Sequence, residues 1–145
     1  MVKNVFFFLI QAQARECLFE KLELQSKDSR NIDVSLDLAQ EAAQVAAVYT
    51  DVHALISREP VRDYVPESWI SLVSVKREHY LALSHRHCAA GLLDHPISDF
   101  RPETRVGLER IQVNDSKTQL DFTVPKTESD RQLLGKGYIE ILCYD

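Results

Sequence analysis

An apolar run, Val5-Phe6-Phe7-Phe8-Leu9-Ile10, opens the chain, and the mixed stretch that follows holds no proline before Pro60 and no glycine before Gly91. Helix formers without breakers over such a length predict long helices rather than many short strands. A first helix is expected from about Asn4 to Leu24, with Asn4 as its N-cap. The polar cluster Gln25-Ser26-Lys27-Asp28-Ser29-Arg30-Asn31 has the composition of a turn. From Ile32 to about Arg58, Val34, Leu38, Ala42, Val45, Tyr49, Val52 and Ile56 recur at spacings of three and four, the stripe of a second helix. Ala39, Ala42, Ala43, Ala46 and Ala47 give that helix small residues that permit close approach. Glu59-Pro60 ends it, because the residue before proline avoids the helical region.

Pro66 suits the first position of a third helix, which continues through Trp69, Leu72, Val73, Lys76, Tyr80, Leu83, His87 and Ala90 and breaks between Gly91 and Pro96. Three long helices joined by short loops pack as antiparallel neighbours. After His95 the pattern changes: Pro96, Pro102, Gly107 and Pro125 interrupt the chain. A short helix at Glu103–Ile111 is expected there. Gln119–Val124 alternates apolar and polar residues, as a short strand would. A last helix from Thr127 to Leu142 carries Gly135 and Gly137, each costing ~1 kcal/mol relative to Ala. The expectation is therefore an all-α fold of antiparallel helical hairpins: three long helices in residues 1–95, and a loop-rich tail with a terminal helix in residues 96–145.

Charge narrows the partners. Among 145 residues the net charge is −5, whereas phosphate binding needs a surplus of Lys and Arg, and so does electrostatic attachment to a membrane surface. The opening apolar run is six residues long and ends at Gln11-Ala12-Gln13 without a cleavage site, so a buried helix is expected over a signal peptide. It is also far short of the ~20 residues of a membrane span. Cys17, Cys88 and Cys143 are far apart and form no CxxC, which points to reduced thiols and a cytoplasmic setting.

Candidate chemistry is thin. His79 and His87 on one helix would lie about 80° apart but two turns from each other, and His85 and His87 would face apart. With His95, these imidazoles lack the three- or four-residue spacing that lets two share a metal, so surface or partly buried histidines are expected. Cys88 beside His87 points about 100° away from it, so a nucleophile and base do not meet, and no cationic surroundings for lowering a thiol pKa are legible. Glu16/Glu20 and Asp33/Asp37 would share helix faces, but Arg15, Lys21 and Arg30 flank them, the composition of solvated charged faces. Phosphate loops, GxSxG and HExxH are absent. No catalytic residue, metal site or cofactor is expected.

An apolar surface is the remaining candidate. If the first two helices form a hairpin centred near Asp28, residues whose numbers sum to 56 lie opposite each other. Leu18 then faces Leu38, with Val34 one turn along. The trio forms either one contiguous partner-binding patch or part of the core, and periodicity does not decide between the two.

Two stretches resemble a known family. Ala12-Gln13-Ala14-Arg15-Glu16-Cys17-Leu18-Phe19-Glu20-Lys21-Leu22 is similar to the Ala-Gln-Ala-Gln-Glu…Glu-Lys signature of BRO domains. Val65-Pro66-Glu67-Ser68-Trp69-Ile70-Ser71-Leu72-Val73-Ser74-Val75-Lys76, continuing through His79-Tyr80-Leu81-Ala82-Leu83-Ser84-His85, resembles the rhophilin type in particular, and Leu38-Ala39-Gln40-Glu41-Ala42-Ala43 is similar as well. The likeness covers about residues 8–95; Leu134-Gly135-Lys136 resembles a later segment. Arg15 stands where the signature has its second Gln, and Leu18 and Arg86 stand where aromatics are usual.

The resemblance implies the tetratricopeptide-like helical centre of a BRO domain, a fragment of less than half its length. In Alix-like members a hydrophobic patch on this region captures the amphipathic C-terminal helix of an ESCRT-III subunit, and its three apolar positions match Leu18, Val34 and Leu38. Rhophilins bind GTP-loaded Rho through an N-terminal coiled coil and carry a PDZ module, neither of which is in this chain. The function expected is a non-catalytic adaptor in Rho signalling or ESCRT-linked endosomal sorting, in the cytoplasm and at endosomes, without nucleic acid or direct membrane insertion. Two alternatives stand beside it: a truncated, non-binding isoform with exposed former-core surface, and, far behind, a hydrolase using Cys88.

Overall fold

The computed structural model describes residues 2–28, 31–114 and 124–144. Within them five α-helices follow one another: α1 (Val2–Gln25), α2 (Ile32–Ile56), α3 (Glu67–Asp94), α4 (Pro102–Asn114) and α5 (Glu128–Tyr144), with short 3-10 turns at Val61–Tyr64 and Ile97–Asp99. The fold is all-α. The strand considered at Gln119–Val124 lies outside the described residues, apart from Val124.

Local chemistry sets most helix ends, and several differ from expectation. Asn4 is not a cap; α1 begins at Val2, and Asn4 sits exposed inside it. The cap that forms belongs to α2, where the Asn31 side chain accepts the Val34 N–H at 2.9 Å and relieves one of the four N–H groups a helix start leaves open. The second helix stops at Ile56, ahead of Pro60. Pro66 is the residue just before α3, its ψ of 139° still extended, and its carbonyl accepts the first bond, from the Trp69 N–H at 2.9 Å. α3 runs through Gly91 to Asp94. Gly91 does not break it because the position is a close approach: a Cβ there would stand 3.0 Å from Ser35 Cβ of α2.

α2 is the central helix. α3 lies against it over the longest helix–helix interface, with α1 and α4 on its other sides, and α5 packs on α3. The α2–α3 contact is made by small residues: Ala39 and Ala42 are fully buried, and the Ser84 hydroxyl donates to the Ala39 carbonyl at 2.7 Å across it. One core cluster gathers Val5, Ala12, Phe19, Leu38, Val45, Tyr49, Val52, Val73 and Tyr80 from α1, α2 and α3. A second gathers Ile32, Leu36, Cys88, Leu92, Leu108, Leu134 and Tyr138, so α4 and α5 of the tail complete it together with α2 and α3.

Two polar ties hold the tail. The buried guanidinium of Arg131 on α5 donates through Nη1 to the Leu92 and Leu93 carbonyls, the latter at 3.1 Å, while Nε meets Glu128 Oε1 at 2.9 Å. The α3 C-terminus thus gains donors for carbonyls that have no partner within the helix, where a cation is also favoured. At the other end Asp33, in the first turn of α2, accepts from Arg101 Nε at 3.1 Å and from the Thr104 hydroxyl. Burial pushes the Asp33 carboxyl up, but the bonds from Arg101 and Thr104 and the Arg101 charge outweigh it and hold it below its ordinary value.

Gly135 and Gly137 separate propensity from packing. A Cβ at Gly135 would lie 2.7 Å from Leu93 Cγ and 3.3 Å from Leu92 Cβ, whereas at Gly137 it meets nothing within 4 Å. Gly137→Ala is expected to raise stability by about 1 kcal/mol, and Gly135→Ala to lower it by about the same, the clash outweighing the helix-propensity gain. Urea denaturation of the two variants checks the opposite signs.

For Asp33 the sign follows from a folded pKa below the unfolded one: its contribution is present above the unfolded carboxylate range and lost as pH falls through the folded pKa. Asp33→Asn should therefore lower stability at pH 7 and differ less from the parent at about pH 2.5, which urea unfolding at both pH values measures.

Candidate protein-interaction site

The α1–α2 hairpin is stapled in the register expected of it. Arg15 Nη1 lies 3.6 Å from Glu41 Oε2, a pair whose numbers sum to 56, and donates to Gln44 Oε1 at 2.6 Å. The residue that departs from the signature thus ties the two helices together.

The predicted apolar trio does not form one exposed patch. Leu18 is 43% exposed, Val34 is half-buried at the edge of the first core cluster, and Leu38, 4% exposed, is inside it. Leu38 takes the core alternative and Leu18 the surface one.

α1 and α3 meet through side chains along a seam above α2. Phe19 sets its ring edge-on to Tyr80 at 5.6 Å, and Tyr80 stacks on Tyr49 at 6.4 Å. Lys76 Nζ stands 2.9 Å from Glu16 Oε1, close enough to pair though not aligned as a hydrogen bond. Burial pushes the Tyr49 hydroxyl far up, helped by its hydrogen bond to Glu16; burial and the carboxylates of Glu16, Glu20 and Glu23 push Tyr80 up to about 12. Both phenols stay neutral and the seam holds one carboxylate–ammonium pair. It is a structural network. Of the carboxylate pairs expected as solvated faces, Glu20 and Asp37 are exposed, but Glu16 and Asp33 are engaged in ties between helices.

Histidines are more buried than expected. His85 and His87 are each 6% exposed, the first tilted against Tyr138 and the second 3.4 Å from Glu23 across the seam, while His79 is exposed. Cys88 is fully buried; burial pushes its thiol up to about 12, only partly offset by a hydrogen bond with Tyr138. A nucleophilic cysteine needs the opposite shift and access to substrate. Among the described residues no group of three or more His, Cys, Asp and Glu could hold a metal ion, and no helix is long and apolar enough to cross a membrane. Among the described residues, open clefts include one of about 700 Å³ along α3 at Val75, His79, Ala82 and His85, and one of about 240 Å³ between Phe8 on α1 and Leu55 on α2. Neither is lined by the trio.

The opening run is not the buried segment expected. Val5 is buried and Leu9 half-buried, but Phe6, Phe7, Phe8 and Ile10 are 39–66% exposed. Consecutive residues point 100° apart on a helix, so six apolar residues in a row cannot all reach one core. That signal was in the sequence.

Comparison with known proteins bears on this arrangement. The BRO1-like domain profile matches residues 2–101. Rhophilin-1 of Mus musculus is 40% identical over 134 residues, covering 91% of this chain and 20% of its own length. Rhophilin-1 of Homo sapiens is 39% identical over 134 residues, with the same coverage, and rhophilin-2 of Mus musculus 36% over 138 residues, covering 94% and 20%. The chain therefore spans about one fifth of the length of these relatives. Each match is longer than residues 1–95, so the likeness runs into the tail, beyond the expected limit. No solved structure matches the chain significantly.

Burial separates Leu18 from Leu38 energetically. Leu38→Ala should cost about 2–5 kcal/mol, since it empties a closed site, and Leu18→Ala less than about 1 kcal/mol. Thermal and urea melts of both variants read the difference.

Proposed function

The chain belongs to the BRO1-like domain family, and from that premise we propose that it is a non-catalytic adaptor module that docks an amphipathic partner helix on the α1–α2 hairpin. The observation that carries this reading is the exposed Leu18 on a hairpin fixed by Arg15, Glu41 and Gln44. A partner helix reaches such a surface with apolar side chains at i, i+3 or i+4, and i+7. Leu18 is the anchor, half-buried Val34 stands one turn along α2 from Leu38, and Leu38 supports the surface from the core. The partner is the C-terminal helix of an ESCRT-III subunit, and the setting is cytoplasmic and endosomal. Likeness to rhophilins supports a Rho-pathway role for a longer protein containing this module, with Rho contacted elsewhere in it.

A second reading, a truncated chain that binds nothing, draws on the exposed apolar residues of α1.

The test is an amide ¹⁵N–¹H correlation titration with an ESCRT-III C-terminal helix peptide. Shifts are expected to cluster at Leu18, Val34 and Arg15, and Leu18→Asp should abolish them while the spectrum stays dispersed. A dispersed spectrum that ignores the peptide rejects this partner; a collapsed one supports the second reading.

A further inference from the structure

We propose that the N-terminal halves of α1 and α3 form a self-association surface, and that two copies of this chain pair through it about a twofold axis. The surface is separate from the Leu18 site along the helix axis, since Leu18 stands about 12 Å beyond Ile10 and about 16 Å beyond Phe7 on α1.

It is built from two charge-free tracts brought to one end of the molecule. Residues 4–14 of α1 contain no Asp, Glu, Lys or Arg, and neither do residues 68–75 of α3. The tracts meet where Phe6 sets its ring edge-on to Trp69 at 5.9 Å. From that contact, helical spacings of three and four extend the patch to Ile10 and Phe7 on α1 and to Leu72 and Val75 on α3. These six side chains are 36–66% exposed, leaving on the order of 700 Å² of apolar surface. That exceeds the ~300–600 Å² of the largest patch on a typical monomer and approaches the ~800 Å² each partner contributes to a standard interface.

Charge selects a second copy as the occupant. Each chain carries −5, so two copies repel over most of their surfaces and meet without that penalty only where both are neutral. A twofold interface sets the same patch against itself, which suits a tract with no charge to mismatch. A lipid surface would ask for a cluster of about four to eight basic residues at the rim, whereas the tracts are bordered by Lys3, Arg15 and Lys76, of which Arg15 and Lys76 are already paired with Glu41 and Glu16.

Trp69 is the only tryptophan and lies within the patch, so it reports directly. Sedimentation equilibrium of the whole chain, over about 1–200 µM, should show a mass rising from 16.6 kDa toward about twice that value. The Trp69 emission should shift to the blue over the same range as the ring loses water. Ile10→Lys and Leu72→Glu alter solvent-exposed positions and should each raise the dissociation constant at least about thirtyfold with helicity unchanged by circular dichroism. Leu133→Lys, on exposed α5 surface away from the patch, should leave it unchanged. A chain that stays monomeric at 200 µM overturns the proposal, as does association that survives both patch variants or that Leu133→Lys disrupts. Should a patch variant lose helicity, a Trp69 emission independent of concentration in the parent chain still overturns it.

Discussion

The close approach of α2 and α3 is the constraint on which the rest depends. Ala39, Ala42, Ser35, Ser84 and Gly91 bring the two backbones near enough for a side-chain hydroxyl to reach a carbonyl of the other helix. Nothing larger fits at Gly91 without moving Ser35. With that pair fixed, α1 can lie on α2 and still reach α3 with its side chains, and α5 can seat Gly135 on Leu92 and Leu93. Interiors are packed like crystals, so a displacement here would be felt at both clusters. A glycine that costs helix propensity is kept where it makes a helix pair possible.

The seam between α1 and α3 follows from that spacing. Their backbones stand farther apart than those of α2 and α3, so long and polar side chains fill the gap: Phe19, Tyr80, Glu16, Lys76, Glu23 and His87. A buried charge needs a partner, and Glu16 has Lys76 and the Tyr49 hydroxyl. Raising both phenols adds no phenolate beside the carboxylates of Glu16 and Glu23. The polar seam fixes the relative register of α1 and α3, which an apolar contact alone would specify weakly.

The helices were legible because their signals are local. The stripe from Val34 to Ile56, the pre-proline stops and the turn at 25–31 mark α2 and its neighbours in any context. Placing side chains inside or outside was harder, since it depends on which helix covers which face. Leu38 and Leu18 are both aliphatic and their numbers sum to the same 56, yet Leu38 joins the core cluster that α1, α2 and α3 share and Leu18 stays in water. Gly91 looked like a breaker because its packing partner is 56 positions away. His87 and Asp33 looked solvated because Glu23 and Arg101 are distant in sequence. The sequence alone also misjudged the opening run, treating as buried what can be buried on only one side of a helix.

α1 shows how one helix can serve several surfaces without conflict. Val5, Ala12 and Phe19 recur every seven residues and give one face to the core; Glu16 and Glu23, also seven apart, turn toward α3; Arg15 turns toward α2. The arc left over carries Phe6 and Ile10 at its α3 edge and Leu18 farther round. A charge placed at Ile10 and one placed at Leu18 should therefore act on different contacts and add independently, because they stand eight residues, about 12 Å, apart along the axis. If the two effects coupled instead, a single continuous surface would be at work, and the division of α1 into separate faces would have to give way.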